Sequence, residues 1–513
     1  MTEPDDTTTD GDTDDHAGPS GDIGERVARL ETQVAALRRH LEAERDGRDR
    51  ERTDGRSKTS DVDDPSRVTR RGVLTAGGVL AALGLGAAPA SADPQGQVGT
   101  KSDPVERLYA RDVLASTVGT ASNPVAEGHV DAINADELSI VDDDATFTVG
   151  AGGDFSSING ALETLSRKRT EFSSDGVRVE LRLLGGFTMT EQVFVEDGLD
   201  LRWIRLTAED SEVPIDRSAL SEAFFDYHRD RYPAFGAKNC AGLPVIDALF
   251  RMDSSGPGGG RDGVFLTQQS AVHVTGNGGV KNAGSRGLYA LRDCLVNCES
   301  GTYNTSSATF SGSGDDNVVS LHNNVLNVQR VDARDAGRRG LFVNGSSTVN
   351  ARRINVSAAG DEGIRAHRAA AVDAYQAAIN GCGTNGVYAQ NGCRLNLNDC
   401  RVSWSGNAGI HAEKGCVVAV ADATVEDCGG PNAVTARGSF VNLAGTRVTD
   451  ADANAISAER GGVVAATNTD TSGAGETGYV VSDGGLLFAS GRTGSLSQSG
   501  NSLTANGIIF TDG

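Results

Sequence analysis

Six side chains able to do acid–base and hydrogen-bonding chemistry fall into register when the sequence is read at a period of 23 residues. Arg365, Tyr388 and His411 hold one position of three successive repeats, and His367, Gln390 and Glu413 hold the position two residues on. Residues two apart on an extended chain share a face, so stacked strands would gather these groups within about 10 Å along the stack. A flat ring beside planar polar groups is the mixture that a sugar surface requires. Arg365, His367, Tyr388 and Gln390 are therefore candidate binding residues. His411 and Glu413 are weaker candidates for general acid–base catalysis. An ordinary solvated strand face is the competing reading of the same six residues. Two His without a third converging ligand do not make a metal site, so no metal and no cofactor is expected.

The period that aligns these residues is the strongest signal in the chain. Gly392, Gly415, Gly438, Gly461 and Gly484 follow it, as do Gly340, Gly363, Gly386 and Gly409. So does the aliphatic column Leu326, Val349, Val372, Leu395, Val418, Val441, Val464 and Leu487. Two residues on run Val328, Ala351, Ala374, Leu397, Val420, Leu443, Ala466 and Ala489, and a third column holds Val356, Ile379, Val402, Val425 and Val448. Alternation within each repeat means short strands with one face buried. One coil of this length cannot bury its own apolar face, so the stack is the folding unit. The leucine-rich pattern LxxLxLxxN is absent, which excludes that horseshoe. The expected fold is an all-β solenoid, a right-handed parallel β-helix of about ten coils. At ~4.8 Å per coil it would be a rod of about 50 Å.

Coils such as "NAGIHAEKGCVVAVADATVEDCG" resemble the right-handed parallel β-helix of the pectate-lyase superfamily and of viral tailspikes. "TVGAGGDFSSINGALETL" is similar to the segment that caps such helices at the N-terminal end. The resemblance covers roughly 145–510 and implies a fold that hosts lyases, hydrolases, esterases, epimerases and pure binders. The paired signature of pectate lyases is not present. "GSGDDNVVS", containing Asp315 and Asp316, resembles the Gly-Asp-Asp of polygalacturonase-type hydrolases, which flank a glycosidic bond with two or three carboxylates. The accompanying Asn-Thr-Asp and Gly-His-Gly are replaced by "YNTSSATF" and "AGRRGLFV". One period after the two Asp stand Arg338 and Arg339, and one further on stand Asp361 and Glu362. Alternating signs at one period predict a stacked charge ladder on a turn, worth little if exposed.

Upstream of the repeats the composition changes several times. Residues 1–20 are acidic and nearly free of apolar side chains, and are expected to be disordered. Within 21–50, Ile23, Val27, Leu30, Val34, Leu37 and Leu41 form a heptad seam that favours a parallel homodimer. A short solvated amphipathic helix is the alternative. A charged linker, 51–67, follows. Residues 68–92 open on "TRRGVLT", which resembles a twin-arginine export signal, with Val73 and Thr75 departing from the usual Phe and Lys. Arg70 and Arg71 precede an apolar run, and Ala90-Ser91-Ala92 is a small-residue cleavage pattern. Three arrangements stay open. The signal is cut after Ala92, or residues 72–90 remain as a membrane anchor, or translation begins nearer Arg70. Residues 93–140 form a further linker, 141–260 the capping region and 261–513 the repeats.

The whole chain carries 47 basic and 70 acidic residues, a net charge of -23. Such a polyanion repels nucleic acid and anionic membranes. Only six of the basic residues are Lys, and this Asp-rich, Lys-poor balance resembles that of proteins from extreme halophiles. Eight Cys are too sparse for a disulfide scaffold. Cys393 and Cys416 share a column and are expected as a reduced stack, whereas Cys382 and Cys428 lie two coils apart. Asn304, Asn344 and Asn355 sit in N-x-S sequons. The expected function is that of an exported cell-surface β-helix that binds a glycan or a cell-envelope component. A secreted polysaccharide lyase or glycoside hydrolase is the second reading. A tailspike-like adhesin is the third, and the export signal argues against it.

Overall fold

The computed structural model describes residues 140–141, 144–170, 179–224, 230–253, 259–298, 307–491, 502–503 and 507–511. The chain divides into two compact units, Met1–Gly128 and His129–Gly513, and the described residues belong to the second. The expected coiled coil, the charged linker, the signal with Arg70, Arg71, Ala90 and Ala92, and Asn304 lie outside the described residues. No helix among the described residues is long and apolar enough to cross a membrane.

The first coil begins with the strand Ala145–Val149 and the helix Ile158–Ser166. Ser157 caps the helix by accepting the Gly160 N–H at 3.1 Å, and the Glu191 carboxylate accepts those of Ile158 and Asn159 at 2.6 and 3.0 Å. These acceptors satisfy amides that a helix start leaves open. Ile158, Ala161, Leu162 and Leu165 face inward, the spacing of one helix face.

From there the chain winds into a parallel β-solenoid. Its longest sheet has thirteen strands, from Val193–Val195 to Ser502–Leu503, and a second sheet has eleven, from Ala271–His273 to Ile508–Thr511. The third side is shared by shorter sheets, including Ala378–Asn380, Arg401–Ser403, Thr424–Glu426 and Arg447–Thr449. Each strand pairs in parallel with its equivalents one coil before and one coil after. Leu395 thus sits between Val372 and Val418, and Val418 between Leu395 and Val441. Every member of the three aliphatic columns read from the period is buried. The repeated glycines have two separate causes. A Cβ on Gly363 would lie 2.6 Å from Ile379 Cγ2 and 2.8 Å from the Gly386 carbonyl of the next coil, whereas Gly415 turns the chain at φ +80°.

Thirteen strands exceed the ten or so coils expected, and the rod is about 60 Å long at ~4.8 Å per strand. The extra coils are those whose length departs from the period. Val193, Phe235, Val264, Leu288 and Val318 pair in register but at irregular sequence spacings, because the turns between them carry insertions. In these coils the inward–outward alternation also fails. Phe265, Tyr289, Leu291 and Val319 point out of the long sheet yet are buried, and Phe224 packs on them as a second small core. The eight cysteines are free thiols, and the backbone N–H of Cys393 donates to Cys416 Sγ at 3.3 Å, the expected reduced stack.

Candidate functional site

The long sheet carries the six singled-out side chains on its outer face. Arg365, Tyr388 and His411 are cross-strand neighbours, as are His367, Gln390 and Glu413. Their alternates Ile364, Ala366, Val387, Ala389, Ile410 and Ala412 are fully buried, so the parity expected from the sequence holds. All six outer side chains are half-buried, because each leans on the coil next to it.

Glu413 is the hub. It accepts hydrogen bonds from the Tyr388 hydroxyl at 2.9 Å and from the Gln390 amide. Lys414 Nζ stands 3.5 Å from one of its oxygens, and His411 Nε2 stands 3.7 Å from the other. Burial alone would raise the Glu413 pKa, but the Tyr388 and Gln390 bonds and the Lys414 charge outweigh it and hold the carboxyl below its ordinary range. Burial and then the Glu413 hydrogen bond and charge push the Tyr388 phenol up to about 12. Burial, reinforced by Arg437, lowers His411, so its imidazole is neutral at neutral pH. His411 Nε2 is buried and lacks a hydrogen-bond partner among the described residues. The Tyr388 and His411 rings meet edge to face with centroids 5.3 Å apart, and the Arg365 guanidinium lies 5.2 Å from the Tyr388 centroid. His367 is lowered by burial and by Arg368 and Arg365, and its Nε2 lies 2.6 Å from Asn391 Nδ2.

The face is longer than the six residues. Phe342 and Asn344 precede Arg365 and His367 in the two columns, and Thr435/Arg437 and Ser457/Glu459 continue them. Phe342 was legible, because it stands one period before Arg365. The Thr435 and Ser457 coils were hidden, because their spacing slips by a residue while the strand register does not. Phe342 is itself covered by Arg339, whose guanidinium lies 4.3 Å from the ring centroid.

Asp315 and Asp316 are not part of this cluster. Their strand, Val318–Leu321, is separated from Glu413 by three strands of the sheet, about 19 Å along the axis. The predicted charge ladder is present, in two columns of different burial. In the outer column Arg338 lies 3.9 Å from Asp315 and 3.2 Å from Asp361. The inner column is Asp316, Arg339 and Glu362, spaced at 3.7 and 3.3 Å, with Arg365 closing on Glu362 at 3.0 Å. The expectation of an exposed ladder of little consequence fails for this inner column, because Asp316 and Arg339 side chains are only 2% and 6% exposed. The period gives the stacking but not the depth. Burial, and then the charge of Asp315, pushes Asp316 up to about 6.

Residues 339–499 match the family model for a right-handed β-helix region. The expected handedness and fold of the repeats are those of that model. No curated protein matches the sequence. Among solved structures the chain is similar to the Dettilon tailspike protein, at 13% identity and a TM-score of 0.40, covering 68% of this chain and 64% of the tailspike. It is also similar to the A-module of the Azotobacter vinelandii mannuronan C-5 epimerase, at 12% identity and a TM-score of 0.39, covering 66% of this chain and 92% of the module. The receptor binding domain of the siphovirus 9NA tailspike follows at 10% identity and a TM-score of 0.28, with coverages of 65% and 73%. The chain thus spans less than two thirds of the Dettilon tailspike's length.

Proposed function

We propose that this β-helix is an exported protein that binds a glycan along the outer face of the long sheet. The observation that carries the proposal is the half-buried row Arg365, Tyr388 and His411 beside Gln390 and Glu413. It sets aromatic rings and planar hydrogen-bonding groups at the strand repeat, along one line, as an extended saccharide chain requires. Tyr388→Ala is expected to weaken retention on the bound polysaccharide by about 1–3 kcal/mol, roughly 5- to 150-fold, as for a central aromatic anchor. Its melting temperature should stay close to that of the parent, since the ring lies outside the core. Val402→Ala, inside the core, should do the reverse. Affinity chromatography on immobilised polysaccharides together with thermal melts reads both. Retention unchanged by Tyr388→Ala with stability intact excludes this face.

A second reading is favoured by one detail. A neutral His411 with an unpartnered Nε2, beside an ionised Glu413 and a protonated Tyr388, can accept and return a proton. A polysaccharide lyase or glycoside hydrolase would use it so. Incubating the full chain with acidic polysaccharides separates the readings: new reducing ends or unsaturated products lost in His411→Ala establish catalysis, and retention without products leaves binding alone.

Export rests on Arg70 and Arg71. Because a twin-arginine receptor reads guanidinium geometry and not charge alone, Arg70→Lys/Arg71→Lys is expected to keep the protein inside the cell. Immunoblots of cells and medium check this, and unaltered export of the double variant excludes the signal.

A further inference from the structure

On the side of the solenoid formed by the column Thr309, Asp332 and Asn355 there is a cleft of about 490 Å³, lined also by Arg330, Arg334 and Arg353. Arginines are common in this chain, and those nearby have carboxylate partners. Arg334 forks onto both oxygens of Asp332 at 2.8 and 2.9 Å, and Arg352 reaches Asp373 at 2.6 Å. Arg330 and Arg353 do not. They hold the same turn position of adjacent coils, at φ 59° and 58°. Arg353 Nε donates only to the neutral Gln376, at 2.9 Å, and the Arg330 guanidinium has no acceptor among the described residues. Two stacked like charges repel each other and destabilise the turn unless something between them is negative. Asp332 does not fill that place: it is forked by Arg334 and makes no hydrogen bond or ion pair with Arg330 or Arg353. Asn355 spends its Oδ1 on Ser357, at 3.2 Å to the N–H and 2.8 Å to the hydroxyl, which leaves its Nδ2 to donate.

We propose that this cleft is an anion site in which Arg330 and Arg353 together clamp one oxyanion, either a carboxylate or a sulfate group. Two guanidinium forks one coil apart, about 5 Å, can each donate to different oxygens of such a group, and planar forks favour it over a point charge. The group belongs to an acidic sugar or is a free anion. In both cases the chemistry is the same, and the site is independent of the Tyr388 face.

The test uses the full chain in low salt, where charge-assisted contacts are least screened. Inorganic sulfate, a sulfated oligosaccharide, a uronate oligosaccharide and a neutral oligosaccharide of equal length are titrated calorimetrically. The expected result is saturable binding of at least one of the three anionic probes, none of the neutral one, and a loss of about tenfold or more in Arg330→Gln/Arg353→Gln. That variant should melt no lower than the parent, because the repulsion is relieved, and the anion should raise the parent's melting temperature but not the variant's. Tighter binding of the sugar than of inorganic sulfate assigns the site to an acidic glycan, and equal binding assigns it to the free anion. No saturable binding of any anionic probe, or equal affinity in the Gln variant, overturns the proposal.

Discussion

Val418→Asp is expected to unfold the solenoid or to lower its stability by several kcal/mol. Val418 is fully buried, stacked between Leu395 and Val441 in the middle of the eleven-stranded sheet. A carboxylate there would have only aliphatic neighbours above and below, and an unpaired buried charge is among the most destabilising single changes. The loss would not stay local, because each coil is stabilised mainly by the two beside it. Set against a domain stability of about 5–15 kcal/mol, the change removes a large part of the total. The adjacent residue gives the control. Val417 is 47% exposed on the outer face of the same strand, so Val417→Asp should cost no more than about 0.5 kcal/mol. Circular dichroism melts of the two variants compare them directly. Equal melting temperatures would mean that the inward–outward register is wrong.

That register was legible because stacking imposes one residue type on one position in every coil. A side chain inside the solenoid has its own equivalents above and below it, so a wrong volume is felt twice. Val418 and its column keep to aliphatic residues for this reason, and Gly363 and its column stay glycine because the next coil's carbonyl lies where a Cβ would go. Outer positions have no such constraint, and periodicity alone says little about them. It placed Tyr388 beside His411, but not the Tyr388 hydroxyl on Glu413, which depends on a rotamer reaching diagonally across a strand. It failed where insertions break the count, as between Val193 and Val318. There the insertion itself covers the sheet, so that Phe265 and Tyr289 are outward in register and buried in fact. The Arg330–Arg353 pair follows the same period, but that neither has a carboxylate partner among the described residues was visible only in the structure.

Arg339→Met is expected to cost about 3–5 kcal/mol at neutral pH, much more than loss of a surface ion pair. Arg339 stands between Asp316 and Glu362, all three nearly inaccessible to water, and its removal leaves two buried carboxylates without the cation between them. Arg338→Met is the matched comparison, because it breaks the parallel outer pairs with Asp315 and Asp361, where solvent screens the charges, and should cost no more than about 1 kcal/mol. The pairing in the inner column is imperfect even in the parent. Asp316 lies 3.7 Å from Arg339, too far for a hydrogen bond, and one of its oxygens is buried without a partner among the described residues. Its pKa of about 6 lies above the ordinary 3.8, as does that of Asp262, also about 6 and dominated by burial. Between those values the folded chain binds protons that the unfolded chain does not. These two groups therefore weaken the fold most above pH 6 and cease to weaken it as the pH falls toward 4. Glu413 and Glu459 act in the opposite sense, since their pKa values are lowered on folding, and the stability they contribute is lost only below the ordinary 4.5. Asp262 and Asp316 thus favour pH 5.5 over pH 7.5, whereas His367 and His411, whose pKa values are lowered from the ordinary 6.5 on folding, act against them in the same interval. The penalty of Arg339→Met should shrink over the same interval, because without the guanidinium Asp316 takes up its proton at a still higher pH. Adding Asp316→Asn and Glu362→Gln to Arg339→Met should restore most of the loss at pH 7.5. Urea denaturation of the three variants and the parent at both pH values measures each of these differences. A cost for Arg339→Met that matches Arg338→Met and does not change with pH would show that the inner column is not held together by charge.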